Sequence, residues 1–186
     1  MCTNPFPLER PETVAIVWPV GNVLPIEVHV EDYVSQFATD RSLFVRVQDG
    51  IGWHITEEQW SLLLTEMVPD SMVFVMRDGD PVAVACALSR ADGWVELAWV
   101  AVVPEFRSMG LGKMVCSVLV QHLLTSGHHR VYGSTQDERL AALSIYLGIG
   151  FHPVYREDKV KRWVEICSNL GRSFSPELWG WPLDMT

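Results

Sequence analysis

The chain has 186 residues, 48% of them hydrophobic and 20% charged, enough for one domain with a sizeable buried core and too apolar for disorder. Lys and Arg number 14 against 23 Asp and Glu, a formal net charge of −9, which speaks against nucleic acid and mildly favours a cationic or amine-bearing partner. No apolar run is long enough to span a bilayer, and MCTNPFPLERPE lacks the basic-then-apolar pattern of a signal peptide, so a soluble, cytoplasmic protein with no membrane partner is expected.

Thr13–Trp18 and Val23–Val30 are apolar or alternating runs separated by Pro19-Val-Gly21-Asn22, and they read as a hairpin. Leu43–Val47 is a third strand candidate. Thr56 is an N-cap candidate with Gln59 three residues on, and Trp60, Leu63, Leu64 and Met67 keep helical spacing until Pro69. Ser71–Arg77 and Pro81–Arg90 are strands joined at Asp78-Gly79-Asp80, a tight-turn signal. Ala91-Asp92-Gly93 turns the chain into a further strand, Trp94–Val103. A helix follows from Leu111 to about Thr125 with Val115, Leu119 and Leu123 on one face, ending near Ser126-Gly127. Arg130–Ser134 reads as a strand, Glu138–Leu147 as a helix, Phe151–Tyr155 as extended, and Lys159–Leu170 as a last helix closed by Gly171. This order predicts an α/β fold of the α+β type: a mixed, mostly antiparallel twisted sheet with helices on both faces. There are no repeats or low-complexity linkers, so a single domain is expected.

The richest segment is Trp99–Val115, where a strand runs through Pro104 into Arg107-Ser108-Met109-Gly110-Leu111-Gly112 and then a helix. Unpaired N–H groups at a helix start attract phosphate, and glycines let backbone approach an anion closely. Two phosphate motifs fail here. A Walker loop needs Gly where Arg107 stands and Ser or Thr where Met114 stands, and a dinucleotide fingerprint needs Gly where Val115 stands. A plain helix start remains the alternative for the loop taken alone.

The surroundings narrow the choice. Val103-Pro104-Glu105-Phe106-Arg107-Ser108-Met109-Gly110-Leu111-Gly112, together with Ala141-Ala142-Leu143-Ser144-Ile145-Tyr146-Leu147-Gly148-Ile149-Gly150-Phe151 further on, resembles the GNAT superfamily of acyl-CoA-dependent N-acyltransferases. The resemblance covers roughly residues 43–165, leaving 1–42 as an N-terminal hairpin extension and 166–186 as a C-terminal tail. It implies a GNAT-like fold with coenzyme A as the phosphorylated ligand. Backbone groups of Ser108, Met109, Gly110, Leu111, Gly112 and Lys113, with Arg107, would cradle the pyrophosphate. Main-chain groups of Val100, Ala101 and Val102 would pair with the pantetheine arm as an added strand. Lys113 either adds charge to the phosphates or is a solvated helix residue.

The same resemblance places a general acid at Tyr146, whose alternative is a core tyrosine, and a base at Glu96, whose alternative is an exposed strand face. A carboxylate among Trp94, Val95, Leu97 and Trp99 would be desolvated, which suits a base. Where many members carry Asn, seven residues before the tyrosine, this chain has Arg139; a salt bridge with Asp137 or a neighbour is the preferred reading for it, with anchoring of the strand–helix junction and reach to the cofactor as the alternatives. Thr135–Ala142 with Arg162-Trp163 is similar to a bacterial subset that includes mycothiol-synthase-like proteins. The last sheet strand usual in the family is hard to find, and the 13–30 hairpin either supplies the missing sheet edge or covers the substrate side.

Other polar residues read as bland. Cys2, Cys86, Cys116 and Cys167 are scattered, and Cys86 and Cys116 are expected as buried free thiols. His122, His128 and His129 lack ligand spacing with a carboxylate, so no metal is expected. Trp53, Trp60, Trp179 and Trp181 read as packing, although Trp53 precedes the early helix that borders the acceptor cleft in the family. The resulting expectation is an N-acetyltransferase using acetyl-CoA on an amine-bearing small molecule or peptide. A non-catalytic acyl-CoA-binding module and a nucleotide-binding protein are the alternatives, and oligomeric state is open, with room for a homodimer.

Overall fold

The computed structural model describes residues 13–19, 21, 28–154, 160–176 and 179. In chain order these form strands β1 (Thr13–Val17) and β2 (Val34–Phe37), helices α1 (Arg41–Gly50) and α2 (Glu57–Glu66), and strands β3 (Val73–Arg77), β4 (Asp80–Ser89) and β5 (Val95–Val102). Helix α3 (Leu111–Thr125), strand β6 (Val131–Gln136), helix α4 (Leu140–Ile149), the short strand β7 (His152–Pro153) and helix α5 (Val160–Asn169) follow. The described strands make one sheet in the order β2-β3-β4-β5-β6-β1-β7. All neighbours are antiparallel except β5 and β6. The expected mixed, mostly antiparallel sheet is what the chain builds.

The meander follows from its turns and its apolar content. Asp78 and Gly79 both have positive φ, 51° and 86°, the turn that matches strand twist in a two-residue hairpin. β4 is buried from Pro81 to Leu88 because both sheet faces are covered there. On one face Val73, Val75, Ala83, Ala85, Val95 and Leu97 share a core with Leu111, Val115, Leu119 and Leu123 of α3, Leu143 of α4 and Trp163 and Ile166 of α5. On the other, Phe74, Val84, Cys86 and Leu88 pack with Phe44 and Val47 of α1 and Trp60 and Leu63 of α2. The period-two alternation of these strands sorts the two sets. Helix α2 starts on the expected cap: the Gln59 N–H donates to the Thr56 hydroxyl (3.2 Å) and the Thr56 N–H donates to the Gln59 side chain (2.9 Å). Gly171, with φ 65°, closes α5 as expected.

Two expectations, at Leu43–Val47 and Phe151–Tyr155, are corrected. Leu43–Val47 is helix, because the Asp40 carboxylate caps α1 by accepting from the Ser42 and Leu43 N–H groups (2.8 and 3.1 Å) and Phe44, Val47 and Gln48 bury at helical spacing. Of the hairpin expected at 13–30, Thr13–Val17 is strand β1, with β6 along one edge and β7 beside Ile16 and Val17 on the other, and residues 22–27 lie outside the described residues. β1 therefore supplies a sheet strand, one place in from the edge. β2, for which the sequence reading made no assignment, pairs with β3 from Val34↔Met76 to Phe37↔Val73. The extended run at Phe151–Tyr155 shrinks to His152–Pro153, with Tyr155 and Lys159 outside the described residues. Cys86 and Cys116 are buried free thiols, as expected, and so is Cys167; Cys2 and Trp181 are outside the described residues.

One feature of the sheet positions the site. β5 and β6 run parallel but pair only at Val95↔Val131 and Glu96↔Tyr132. Beyond those pairs β6 follows β1, from Tyr132↔Val17 to Gln136↔Thr13, while β5 follows β4 as far as Val102. The two strands diverge and open a gap at their carboxyl ends. Trp99, in a left-handed conformation (φ 55°), forms a bulge in β5 between Cys86↔Ala98 and Val84↔Ala101, which bends the strand away.

Candidate active site

The loop after β5 leads the chain into the positive end of α3. Pro104–Phe106 form a single 3-10 turn, and the Arg107 Nε donates back to the Val102 carbonyl (3.2 Å), holding the loop to the strand end. Ser108 (φ 62°) and Gly110 (φ 84°) take left-handed conformations that turn the chain into α3. The Met114 N–H closes the first helical turn onto the Gly110 carbonyl (3.0 Å), and no side chain caps the helix, so the N–H groups of Leu111, Gly112 and Lys113 point out of its positive end. Gly110 needs its conformation; Gly112 needs its lack of a side chain. A Cβ on Gly112 would stand 2.7 Å from Ile145 Cδ1, so this glycine lets α3 pack against α4. Lys113 and Met109 are exposed, and the Tyr33 hydroxyl reaches the Met109 sulfur (3.6 Å).

The strand edge beside the loop is Val100, Ala101 and Val102. Ala101 and Val102 pair with β4 on one side through Val84 and Ala83, and their other side faces the gap. An extended amide-bearing chain has a free strand edge to pair with there. Loop and edge together suit a phosphorylated ligand with a long amide arm, and coenzyme A is such a molecule.

Tyr146 lies on α4, 6% exposed, with its ring edge against Phe151 at 6.0 Å between centroids. Burial pushes its phenol well above the ordinary tyrosine range; the nearby Cys116 and Glu96 act in the same direction and the Arg139 charge against it. The hydroxyl therefore keeps its proton at neutral pH. Glu96 is buried too, but it is not alone among indoles. Arg90 donates to its Oε2 from Nε (2.8 Å) and from a terminal nitrogen (2.7 Å), and the Ser134 hydroxyl of β6 donates to Oε1 (3.2 Å). Arg90 is held in turn by Glu66 of α2 (2.7 Å). Tyr132 stands beside this cluster, its phenol pushed up to about 12 by burial and then by the Glu96 charge.

Of the residues singled out from the sequence, the loop directly continues the strand edge, and Glu96 is close enough to Tyr146 for its charge to act on the phenol. The sequence reading missed the partners of Glu96. Arg90 sits six residues away across the Ala91–Gly93 turn, a diagonal the hairpin register would have shown, whereas Glu66 comes from a distant helix. It also expected Arg139 to make a salt bridge with Asp137 or a neighbour. Asp137 pairs instead with Arg162 of α5, and Arg139 lies over the ring of Trp53 at 6.0 Å. Trp53 packs its edge on Trp99 (6.2 Å, 88°), and Trp99 on Phe44 (5.6 Å). Among the described residues no group of three His, Cys, Asp or Glu is arranged to hold a metal, and no helix is long and apolar enough to cross a membrane.

Comparison with known proteins bears on the family and the fold. Residues 34–151 match the family model of the acetyltransferase (GNAT) family. The uncharacterized N-acetyltransferase YobR of Bacillus subtilis (strain 168) is 32% identical over 92 residues, 50% of this chain and 37% of that protein. Among solved structures, a GCN5-related N-acetyltransferase from Sphaerobacter thermophilus superposes with a TM-score of 0.63 at 16% identity over 76% of this chain and 48% of that one. The ribosomal-protein-S18-alanine N-acetyltransferase from Escherichia coli gives 0.55 at 16% identity, over 66% of this chain and 79% of that one. The match spans less than half the length of the first two relatives, and the structural likenesses bear on fold alone. With the family model covering well over half of its residues, the chain belongs to the acetyltransferase (GNAT) family.

Proposed function

We propose that the protein transfers an acetyl group from acetyl-CoA to a primary amine by direct attack within a ternary complex. The observation that carries this reading is the parting of β5 from β6 beyond Glu96, which among the described residues leaves the edge of residues 100–102 unpaired on one side and leading into a helix start without a side-chain cap. Acetyl-CoA supplies an activated thioester carbonyl and a thiol leaving group. Backbone N–H groups from Ser108 to Lys113, with Arg107, hold the pyrophosphate, and the edge at Val100, Ala101 and Val102 orients the arm along the gap.

The chain then has two protons to manage. The amine nitrogen forms the new bond to the acetyl carbon as the carbon–sulfur bond breaks. Glu96 takes the proton the amine sheds, through Oε1 and an intervening water, because Arg90 occupies Oε2. Tyr146 gives its proton to the departing sulfur, and its raised pKa means it is protonated when needed. No covalent enzyme intermediate is required; Cys86 and Cys116 are fully buried, their thiols pushed up by desolvation. The acceptor is an amine-bearing small molecule or peptide.

Tyr146→Phe tests the reading. Free-thiol release from acetyl-CoA across an amine panel is expected to fall about a hundredfold or more in kcat, with the dissociation constant for CoA unchanged. The Arg90 grip on Glu96 favours one second reading, a non-catalytic acyl-CoA-binding module in which the carboxylate is structural. Silence of the parent protein on every amine class, with CoA still bound, is the result that would establish it.

A further inference from the structure

Three side chains from separate elements bridge the β5–β6 gap. Trp99 of the β5 bulge carries the edge of Trp53, from the loop between α1 and α2, and the Arg139 guanidinium lies over the Trp53 ring. Arg139 directly precedes α4 and follows β6 by only a short turn, so this chain of contacts runs from one parted strand to the end of the other. The Trp53 loop is itself braced: its N–H donates to the Gln48 carbonyl (2.9 Å), and His54 meets Asp49 (2.8 Å).

The bridge leaves two resources facing solvent. Trp53 is 47% exposed. Arg139 is exposed, and among the described residues its guanidinium has no carboxylate partner and no hydrogen-bond acceptor. Asp137, an acid close before it, is committed to Arg162. With the Trp53 ring as its printed contact, the Arg139 guanidinium has N–H groups with which to take a carboxylate through two parallel hydrogen bonds. Arg139 also precedes Tyr146 by seven residues, about 10 Å along the helix axis. Helical side chains lean toward the N-terminus, which brings the tyrosine hydroxyl closer still.

We propose that the acceptor is a small amine that also bears a carboxylate, an amino acid or close analogue, with the carboxylate held by Arg139 against Trp53 and the amine directed into the gap beside Tyr146. The inference rests on the acetyl-transfer reading, and its test separates the two.

Free amino acids are compared with their own amides as acceptors, by thiol release, in the parent and in Arg139→Gln. The amide's amine is less basic and more often unprotonated, so intrinsic reactivity favours the amide. The best acceptor is expected to be a free acid, preferred over its amide by roughly tenfold or more in kcat/KM. Arg139→Gln is expected to erase that preference through KM for the acid, leaving kcat, the amide's constants and CoA affinity in place. Amides, polyamines or amino sugars matching or exceeding the acids in the parent overturn the inference while leaving acetyl transfer intact. So does a weakened CoA affinity in Arg139→Gln with the acid preference retained, which would assign Arg139 to the donor. If no amine is acetylated, the transfer reading fails and tryptophan emission of the CoA-loaded protein decides the inference. A response to amino acids, absent with their amides and lost in Arg139→Gln, upholds carboxylate capture, and no such response overturns it.

Discussion

At the scale of single residues, the site depends as much on what is missing as on what is present. Gly112 is the clearest case, since its Cβ would meet Ile145 Cδ1 at 2.7 Å and Val102 Cγ2 at 3.7 Å. Alanine in place of a helical glycine gains about 1 kcal/mol from the backbone alone, so Gly112→Ala sets that gain against a clash with one methyl group. Ile145→Val removes that methyl. Urea unfolding of the four variants is expected to show Gly112→Ala near neutral or destabilising in the parent and stabilising in the Ile145→Val background, with a coupling of about 1 kcal/mol. Strict additivity would mean the α3–α4 contact relaxes without cost. The same residues show what was legible beforehand. The Arg107–Gly112 loop and Tyr146 could be read because each sits in a short local pattern. The Ile145 contact could not, because it joins two helices, and the Arg90–Glu96 pair was hidden by a hairpin register that sequence leaves open.

At the scale of elements, β1 is the piece whose place was hardest to foresee. Its apolar run Thr13–Val17 reads as a strand, but partner choice is non-local, and only the structure puts it between β6 and β7. It fills the position left open because the segment after Phe151 forms α5 instead of a long strand. Leu43–Val47 failed for the opposite reason: its short apolar alternation fits both periods, and the Asp40 cap decides for helix. α2, α3 and the β3–β4 hairpin were legible because caps, glycines and turn residues mark their ends. If β1 is an interior strand, a chain beginning at Gly21 leaves β6 and β7 with unpaired edges and uncovers the Ile16 and Trp18 packing. Such a protein is expected to lack a cooperative thermal transition, and a peptide of residues 1–20 added during refolding is expected to restore it. A truncated chain melting cooperatively near the parent temperature would show that β1 is dispensable to the fold.

At the scale of the whole molecule, the sheet consists of two wings, β2 to β5 and β6-β1-β7, hydrogen-bonded to each other through only two residue pairs at the base of the gap. Helix α3 lies over β3, β4 and β5 and packs against α4, and side chains of both wings share the core on that face, so the wings are packed together but open toward the loop. A ligand seated at the loop and along β5 therefore fastens the wings as well as filling a site. Ligand present at a hundred times its dissociation constant stabilises the folded state by about 2.7 kcal/mol, which for a chain of this size is a rise in melting temperature of roughly 5–11 °C. CoA is expected to produce such a shift and, in hydrogen exchange, to slow the gap-facing amides of Leu97–Val102. ATP shares the adenosine and pyrophosphate but not the arm, so it is expected to shift the melting temperature less and to leave those amides fast. Equal shifts from both ligands, with β5 unprotected in each, would assign the loop to a nucleotide and remove the pantetheine path from β5. Protection of β5 by CoA alone would tie the arm to the strand edge, because the pyrophosphate cradle is common to both molecules and cannot by itself distinguish them.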